Sequence, residues 1–389
     1  MTGSQPATTG PLHGIRVVHL SSLGPGPYAA MLLADMGADV VVVDRVPTLA
    51  GSMPPEGDPR RRGQRSIAVN LRDERGHTIV TDLIRGADVL IEGMRPGVAE
   101  RLGVGPEDSH ALNERLVYAR MTGWGQNGPL AKTAGHDINY VAATGALYAM
   151  GNPSDPPPIP LNLLGDYAGG GVFLVLGVLA ALHERDHTGI GTVVDSAIVD
   201  GVASLNTATL GMAAAGLWHD RGQNTFDGSR PWYRTYETRD GGYMAVGAIE
   251  PQFYDAMLRT LGLDQDLWQR NDALDIAALT AELTAVFRSK NRDEWTTAFS
   301  GVDACVSPVL TFDEAIQSPE SEERGAYIGI AGVVQPAPLP RFQNRPAPVP
   351  HQPPAAGRDT ATILEELGRG EDEIELLERE GCVMIGGNR

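Results

Sequence analysis

The stretch Leu20 to Arg45, LSSLGPGPYAAMLLADMGADVVVVDR, restricts the fold more than any other part of this 389-residue chain. An apolar run, Ile15–Leu20, enters a glycine-rich turn. Tyr28–Met36 follows with helical spacing, Gly37 is placed to end it, and Val40–Val43 has the continuous apolar character of a buried parallel strand. Strand, tight turn, helix, strand is the opening of a parallel α/β sheet. Gly24, Gly26 and Ala29 also satisfy G-x-G-x-x-[G/A], and Asp44 stands 20 residues after Gly24, where dinucleotide-binding folds hold a ribose. Pro25 and Pro27 argue against that ligand, since each removes a backbone N–H that a pyrophosphate would need. Arg45, next to Asp44, would prefer a phosphate to a ribose. The pattern predicts a Rossmann-like turn rather than an NAD site.

The alternation continues with Ser66–Asn70 as strand, Gly76–Arg85 as helix, and Ala87–Ile91 and Leu116–Met121 as strands, the last entering the loop TGWGQNGP. From His136 to about Gly216 the spacing is helical, with apolar segments Ala168–Leu182 and Asp195–Leu217. Tyr233–Thr238 and Tyr243–Ala248 flank Asp240-Gly241-Gly242 as a β-hairpin. These readings predict an α/β fold: a large Rossmann-like domain beginning in residues 1–215, a smaller α+β domain over 225–330, and a return segment over 335–389. Gln335–Pro354 holds eight of the 28 prolines and is expected to be extended and solvated, followed by a C-terminal helix, Thr360–Glu380.

Charge narrows the partners. With 31 basic and 49 acidic residues the net charge is −18, which argues against nucleic-acid or anionic-membrane binding. Part of the excess lies in Asp359–Glu380, with nine acids against two arginines. Two cysteines, Cys305 and Cys382, build neither a disulfide framework nor a zinc cluster, so no metal is expected. Ala168–Leu182 is short and glycine-rich for a membrane span, and the first residues, MTGSQPATTGPLHG, lack the pattern of an export signal. A cytoplasmic location is the expectation.

Three stretches place ionisable residues among small or apolar neighbours: AGHDINY (134–140), PLNLLGDYAGGG (160–171) and VGAIEPQFY (246–254). Singly, His136 reads as a partly buried histidine, Asp166 as the N-cap of an apolar helix, and Glu250 as a strand-end carboxylate. Together with GPGPYAAMLLADMGADVV, GMRPGVAERLGVGP, YARMTGWGQNGP and DACVSPVL, they resemble the α-methylacyl-CoA racemases of the family III CoA-transferase superfamily, from about Leu12 to Phe342.

The resemblance implies an interlocked homodimer whose active site lies between the large domain of one chain and the small domain of the other. The substrate would be a 2-methyl-branched acyl-CoA, with CoA as part of the substrate and no separate cofactor. His136 and Asp166 would face opposite sides of the α-carbon, and Glu250 would partner the histidine. Inversion needs one deprotonated and one protonated group, which exchange roles with direction, and burial would raise the pKa of Asp166 toward that use. Gly135, His136, Asp137 and Ile138 would open a helix whose N–H groups meet the enolate oxygen, with Asn139 and Tyr140 completing the motif. By the same resemblance Arg45 takes the nucleotide end of CoA, Ala68, Val69, Asn70 and Leu71 lie beside adenine, and Arg95 either meets the pyrophosphate or is a surface loop arginine. Arg60, Arg61, Arg62 and Arg65 either flank the 3′-phosphate or form a solvated loop.

Departures from the family pattern are His19 in place of an acid, Val42 in place of a frequent base, and Ser229, Arg230 and Trp232 in DGSRPWY (227–233) near the expected acyl site. They leave the acyl group open. Two rival readings use the same fold: CoA transfer through Asp166 as nucleophile, and a non-catalytic acyl-CoA-binding protein.

Overall fold

A computed structural model describes residues 10–46, 55–270, 275–343 and 349–386. The apolar runs form six parallel strands: β1 (Arg16–Leu20), β2 (Asp39–Arg45), β3 (Gln64–Val69), β4 (Val89–Glu92), β5 (Val117–Thr122) and β6 (Val193–Ala197). Their order is β3-β2-β1-β4-β5-β6, and the strand Val383–Met384 pairs antiparallel on the outer side of β3. The order reverses between β1 and β4, which opens a crevice at the carboxyl ends of those strands. The sequence reading missed β6, which pairs with Tyr118–Thr122 where Asp195–Leu217 was expected to be helical throughout. A short apolar run fits strand and helix alike, and only pairing separates them. The helices Ile198–Leu205 and Thr207–Ala214 follow it.

Side chains alternate across the sheet. On one face Val18, Leu20, Val41, Val43 and Ile67 pack with Ile79, Val80 and Ile84 of α2 (Glu74–Arg85) and with Ile363, Leu364, Ile374 and Leu377. The expected C-terminal helix is two, Thr360–Glu366 and Glu371–Arg379, interrupted where Gly368 takes φ 83°. On the other face α1 (Pro25–Asp35) packs on β1 and β2, and the helix Phe173–Thr188 on β5 and β6. With Gly24 as N-cap, both prolines fall in the first turn of α1, where a missing N–H costs no intrahelical bond.

In the run of arginines all four are paired, and Arg61 and Arg62 are buried while Arg60 and Arg65 stay partly exposed. Arg61 forks onto Asp44 at 2.9 and 2.6 Å, and Arg62 onto Asp35 at 3.0 and 2.6 Å, both pairs buried. Arg65 bridges Asp39 and Glu366, and Arg60 pairs with Asp58. Arg62 also donates to Gln335 Oε1 and the Pro336 carbonyl. The start of the proline-rich segment is therefore built in, as the second strand of an antiparallel hairpin, Tyr327–Ile330 with Val333–Pro336.

The chain divides into two compact units. The first comprises residues 1–144, 160–205 and 325–389; the second comprises 145–159 and 206–324, so 145–159 and 206–215 join the second unit. That unit holds the antiparallel strands β7 (Tyr233–Glu237), β8 (Tyr243–Gly247) and β9 (Val306–Pro308). They cover a core of Tyr236, Met257, Leu283, Phe287 and Trp295, with the Tyr236 and Phe287 rings stacked at 4.9 Å.

Leu163–Thr188 is one continuous helix, longer than its apolar run suggested, and by length and composition it is long enough to cross a membrane. Its apolar residues have another use: Leu174, Val175, Val178, Ala181 and Leu182 are buried.

Candidate active site

The loops after β1 and β4 meet at the reversal point. A Cβ added to Gly93 would lie 2.8 Å from the Ser22 Cβ. Gly24 adopts φ 66°, and a Cβ there would lie 3.2 Å from Asp166 Oδ2. The first glycine of the fingerprint thus faces a carboxylate of the protein itself. Asp44 is not available for a ribose, because Arg61 and the Ser66 hydroxyl (2.7 Å) hold it inside.

Asp166 does not cap a helix. It lies inside a π-helical stretch, Leu163–Val172, that runs into Phe173–Thr188. Wide π turns recur at functional sites and here need close neighbours to hold them. Glycines supply the room: a Cβ would meet Val202 at 2.7 Å from Gly169, Pro25 at 2.9 Å from Gly170 and Tyr28 at 2.8 Å from Gly171. The rings of Tyr28 and Tyr167 add a tilted contact at 4.7 Å.

His136 is the N-cap of the helix Asp137–Ala143, and its backbone N–H donates to Asn139 Oδ1 at 3.0 Å. Its ring is exposed, as are Ile138 and Asn139. Asp137 turns inward, 8% exposed, and its Oδ2 accepts the Asp166 N–H at 2.6 Å. A Cβ on Gly165 would lie 2.3 Å from that oxygen. Tyr140 is buried edge-on against Trp124 at 4.8 Å, with Gly123 and Gly135 leaving space for its ring.

The electrostatics join these residues. Burial raises the pKa of Asp166, the nearby Asp137 raises it further, and Asn162, His136 and Arg60 oppose. Burial also raises Asp137, against hydrogen bonds from the Asp166 and Gly165 backbone. Tyr140 is raised by burial and then by Asp166, with Arg95 opposing. The expected residues His136, Asp137, Tyr140, Asp166 and Arg95 therefore form one interacting group, joined by Arg60.

The expected residues differ in how far they are exposed. Arg45 is exposed at the end of β2 and Arg95 is exposed after β4. Ala68 and Val69 are fully buried, and the strand Val383–Met384 occupies the free edge of β3, so of that segment only Asn70 and Leu71 retain outward surface. Glu250 belongs to the second unit, exposed and immediately before the helix Pro251–Leu261.

The departures have structural explanations. Trp232 lies under the Arg270 guanidinium, 4.3 Å away, and edge-on to Tyr254. Ser229 Oγ donates to the Asn224 carbonyl, and Arg230 to that of Gln223. Val42 is buried, and His19 is buried with Nε2 3.0 Å from Ser22 Oγ.

Sequence reasoning missed the inward turn of the Asp137 side chain and the contact of Gly24 with Asp166. The available signal was a second carboxylate beside His136 in a glycine-flanked motif, and nothing in it gives direction.

Comparison with known proteins agrees with this architecture. The sequence matches CoA-transferase family III over residues 12–360. It is 42% identical over 376 residues to alpha-methylacyl-CoA racemase of Mus musculus, covering 96% of this chain and 97% of that protein. It is 44% identical over 372 residues to that of Homo sapiens, covering 94% and 96%. The crystal structure of a CaiB/BaiF family protein from Brucella suis superimposes with a TM-score of 0.80 at 26% identity, over 92% of this chain and all of that one. With most of its length matched in both sequence and structure, the chain belongs to CoA-transferase family III.

Proposed function

We propose that the chain is an isomerase that inverts the α-carbon of 2-methyl-branched acyl-CoA thioesters by 1,1-proton transfer. The observation that carries this reading is the placement of Asp166, half-buried and with its pKa raised by that burial, within the electrostatic reach of an exposed His136. The identity to mouse and human alpha-methylacyl-CoA racemases supports it.

A thioester α-proton is a weak acid, so the base must act together with stabilisation of the enolate. In one direction neutral His136 removes the proton and the Asp166 carboxyl returns one to the opposite face; in the other direction the roles exchange. The first N–H groups of a helix lack intrahelical partners. That of His136 is taken by Asn139, which leaves those of Asp137 and Ile138 for the enolate oxygen. One such donor contributes roughly 3–4 kcal/mol to a transition state. Glu250 of the partner subunit would fix the His136 tautomer across an interlocked homodimer. Arg45, Asn70, Leu71 and Arg95 are assigned to the CoA moiety, and no separate cofactor enters the chemistry. Two unpaired cysteines support a reducing, cytoplasmic setting.

The test is a single-epimer 2-methylacyl-CoA incubated in D₂O. Racemisation gives α-deuterium incorporation and loss of stereochemical purity with no acceptor acid. His136→Ala and Asp166→Ala should lower the exchange rate by roughly 10²–10⁴. Transfer of CoA to an added carboxylate without α-exchange would replace this reading with CoA transfer through Asp166.

A further inference from the structure

Asp137 and Asp166 form a pair of carboxylates of which the mechanism uses one. They differ in what holds them. Asp137 is the more buried, and its Oδ2 accepts the Asp166 backbone N–H, with the Gly165 backbone also favouring its charge. Backbone N–H bonds favour the ionised form of the group that accepts them. Asp166 has no such backbone bonds to its side chain; its oxygens face Gly24 and the Asn162 side chain. When two neighbouring carboxylates cannot both ionise freely, the better-solvated anion forms first and the other keeps its proton to higher pH. Asp137 is therefore the member of the pair that takes the first charge. Gly165 fits this arrangement, because any side chain there would drive into the Asp137 carboxylate.

We propose that the Asp137 side chain is a positioning residue for proton transfer: its Oδ2 anchors the π-helical backbone that carries Asp166, and its negative charge opposes a second charge on Asp166. This rests on the racemase reading for the role of Asp166. The remaining groups that act on Asp166 are His136 on the Asp137 helix, Arg60 on the segment before β3, Asn162 on its own helix and Tyr140. His136 and Arg60 pull the other way, and neither bonds the Asp166 backbone. Asp137 alone supplies both the anchor and the opposing charge. Asp137 Oδ1 is buried without a hydrogen-bond partner, which works against its charge, so the backbone bond to Oδ2 is what favours the ionised form.

The deciding variant is Asp137→Asn, which keeps an oxygen for the Asp166 N–H and removes the charge. The Asp166 carboxyl is followed by carbon-13 NMR as a function of pH, its signal assigned by its loss in Asp166→Asn. The expected result is a midpoint about one unit lower in Asp137→Asn, with the matching limb of the α-exchange pH profile shifted equally. At pH 8 kcat should fall about ten-fold with KM changed less than two-fold. Asp137→Ala, which removes anchor and charge together, should lose about a hundred-fold while circular dichroism shows it folded.

An unmoved Asp166 midpoint in Asp137→Asn, with Asp137→Ala exchanging within two-fold of wild type, overturns the proposal. Abolished exchange in Asp166→Asn would leave the racemase reading standing in that case. Exchange at the wild-type rate in Asp166→Asn would remove Asp166 from the mechanism, and the NMR midpoint would still decide whether Asp137 charges first.

Discussion

His19 shows how one buried side chain ties stability to pH. It is 2% exposed on β1, bonded to Ser22, and close to the Arg61–Asp44 pair. Burial, then the Arg61 charge, lowers its pKa from 6.5 to about 4, with Asp44 opposing. The unfolded chain takes up this proton at higher pH than the folded chain. His19 thus contributes stability above pH 6.5 that is lost as pH falls toward 4, an effect of about 3 kcal/mol. Asp35, Glu92, Asp137 and Asp166, all raised chiefly by burial, act with the opposite sign, so the comparison must be with a variant. Denaturant unfolding of wild type and His19→Gln should show a stability difference that shrinks by about this amount between pH 7 and pH 4. A difference constant with pH would mean that His19 is not held neutral. At this same scale the sequence was least legible. The spacing of Asp44 from Gly24 was visible, but its capture by Arg61 joins strand β2 to a segment 17 residues on, and no local pattern encodes that pairing.

At the scale of elements, the site depends on how closely a π-helix can approach its neighbours. A Cβ on Gly201, in the helix Ile198–Leu205, would lie 1.8 Å from the Gly169 carbonyl oxygen, and 2.9 Å from its Cα. The obstacle is backbone, so no rotamer relieves it. Gly201→Ala should cost about 1–3 kcal/mol or more in denaturant unfolding and lower α-exchange by displacing Asp166. A variant with wild-type stability and rate would show that the crossing is looser than drawn. The strands and α1 were legible because burial on both faces leaves apolar runs and because prolines and glycines mark the ends. The π-helix was not, since GDYAGGG reads as a helix start by composition. Its π geometry follows from Pro25, Tyr28 and Ile198 packed against the glycines.

For the whole molecule, the helix Thr207–Ala214 poses a packing question. Its sequence, TATLGMAA, is largely apolar, yet none of its residues is buried, and Leu210 is 61% exposed. Leu205 and Leu217 beside it are also exposed. Apolar surface of this kind marks an interface, which supports the proposed homodimer. Sedimentation velocity should find a dimer for wild type, and Leu210→Glu should shift it toward monomer, with loss of α-exchange as the proposed shared site requires. A monomeric wild type with full activity would exclude a shared site.

The sequence by itself determined the α/β class, the Rossmann-like opening and the family, since these depend on local periodicity, turn chemistry and long matching motifs. It also placed His136, Asp166 and Glu250 in their motifs. The tertiary structure decided which charges are spent inside the protein, such as Asp44 on Arg61 and Asp35 on Arg62, and which remain at the crevice. It also decided that Asp137 faces Asp166. A carboxylate's role follows from its burial and its hydrogen-bond partners, and both are set by residues distant in sequence.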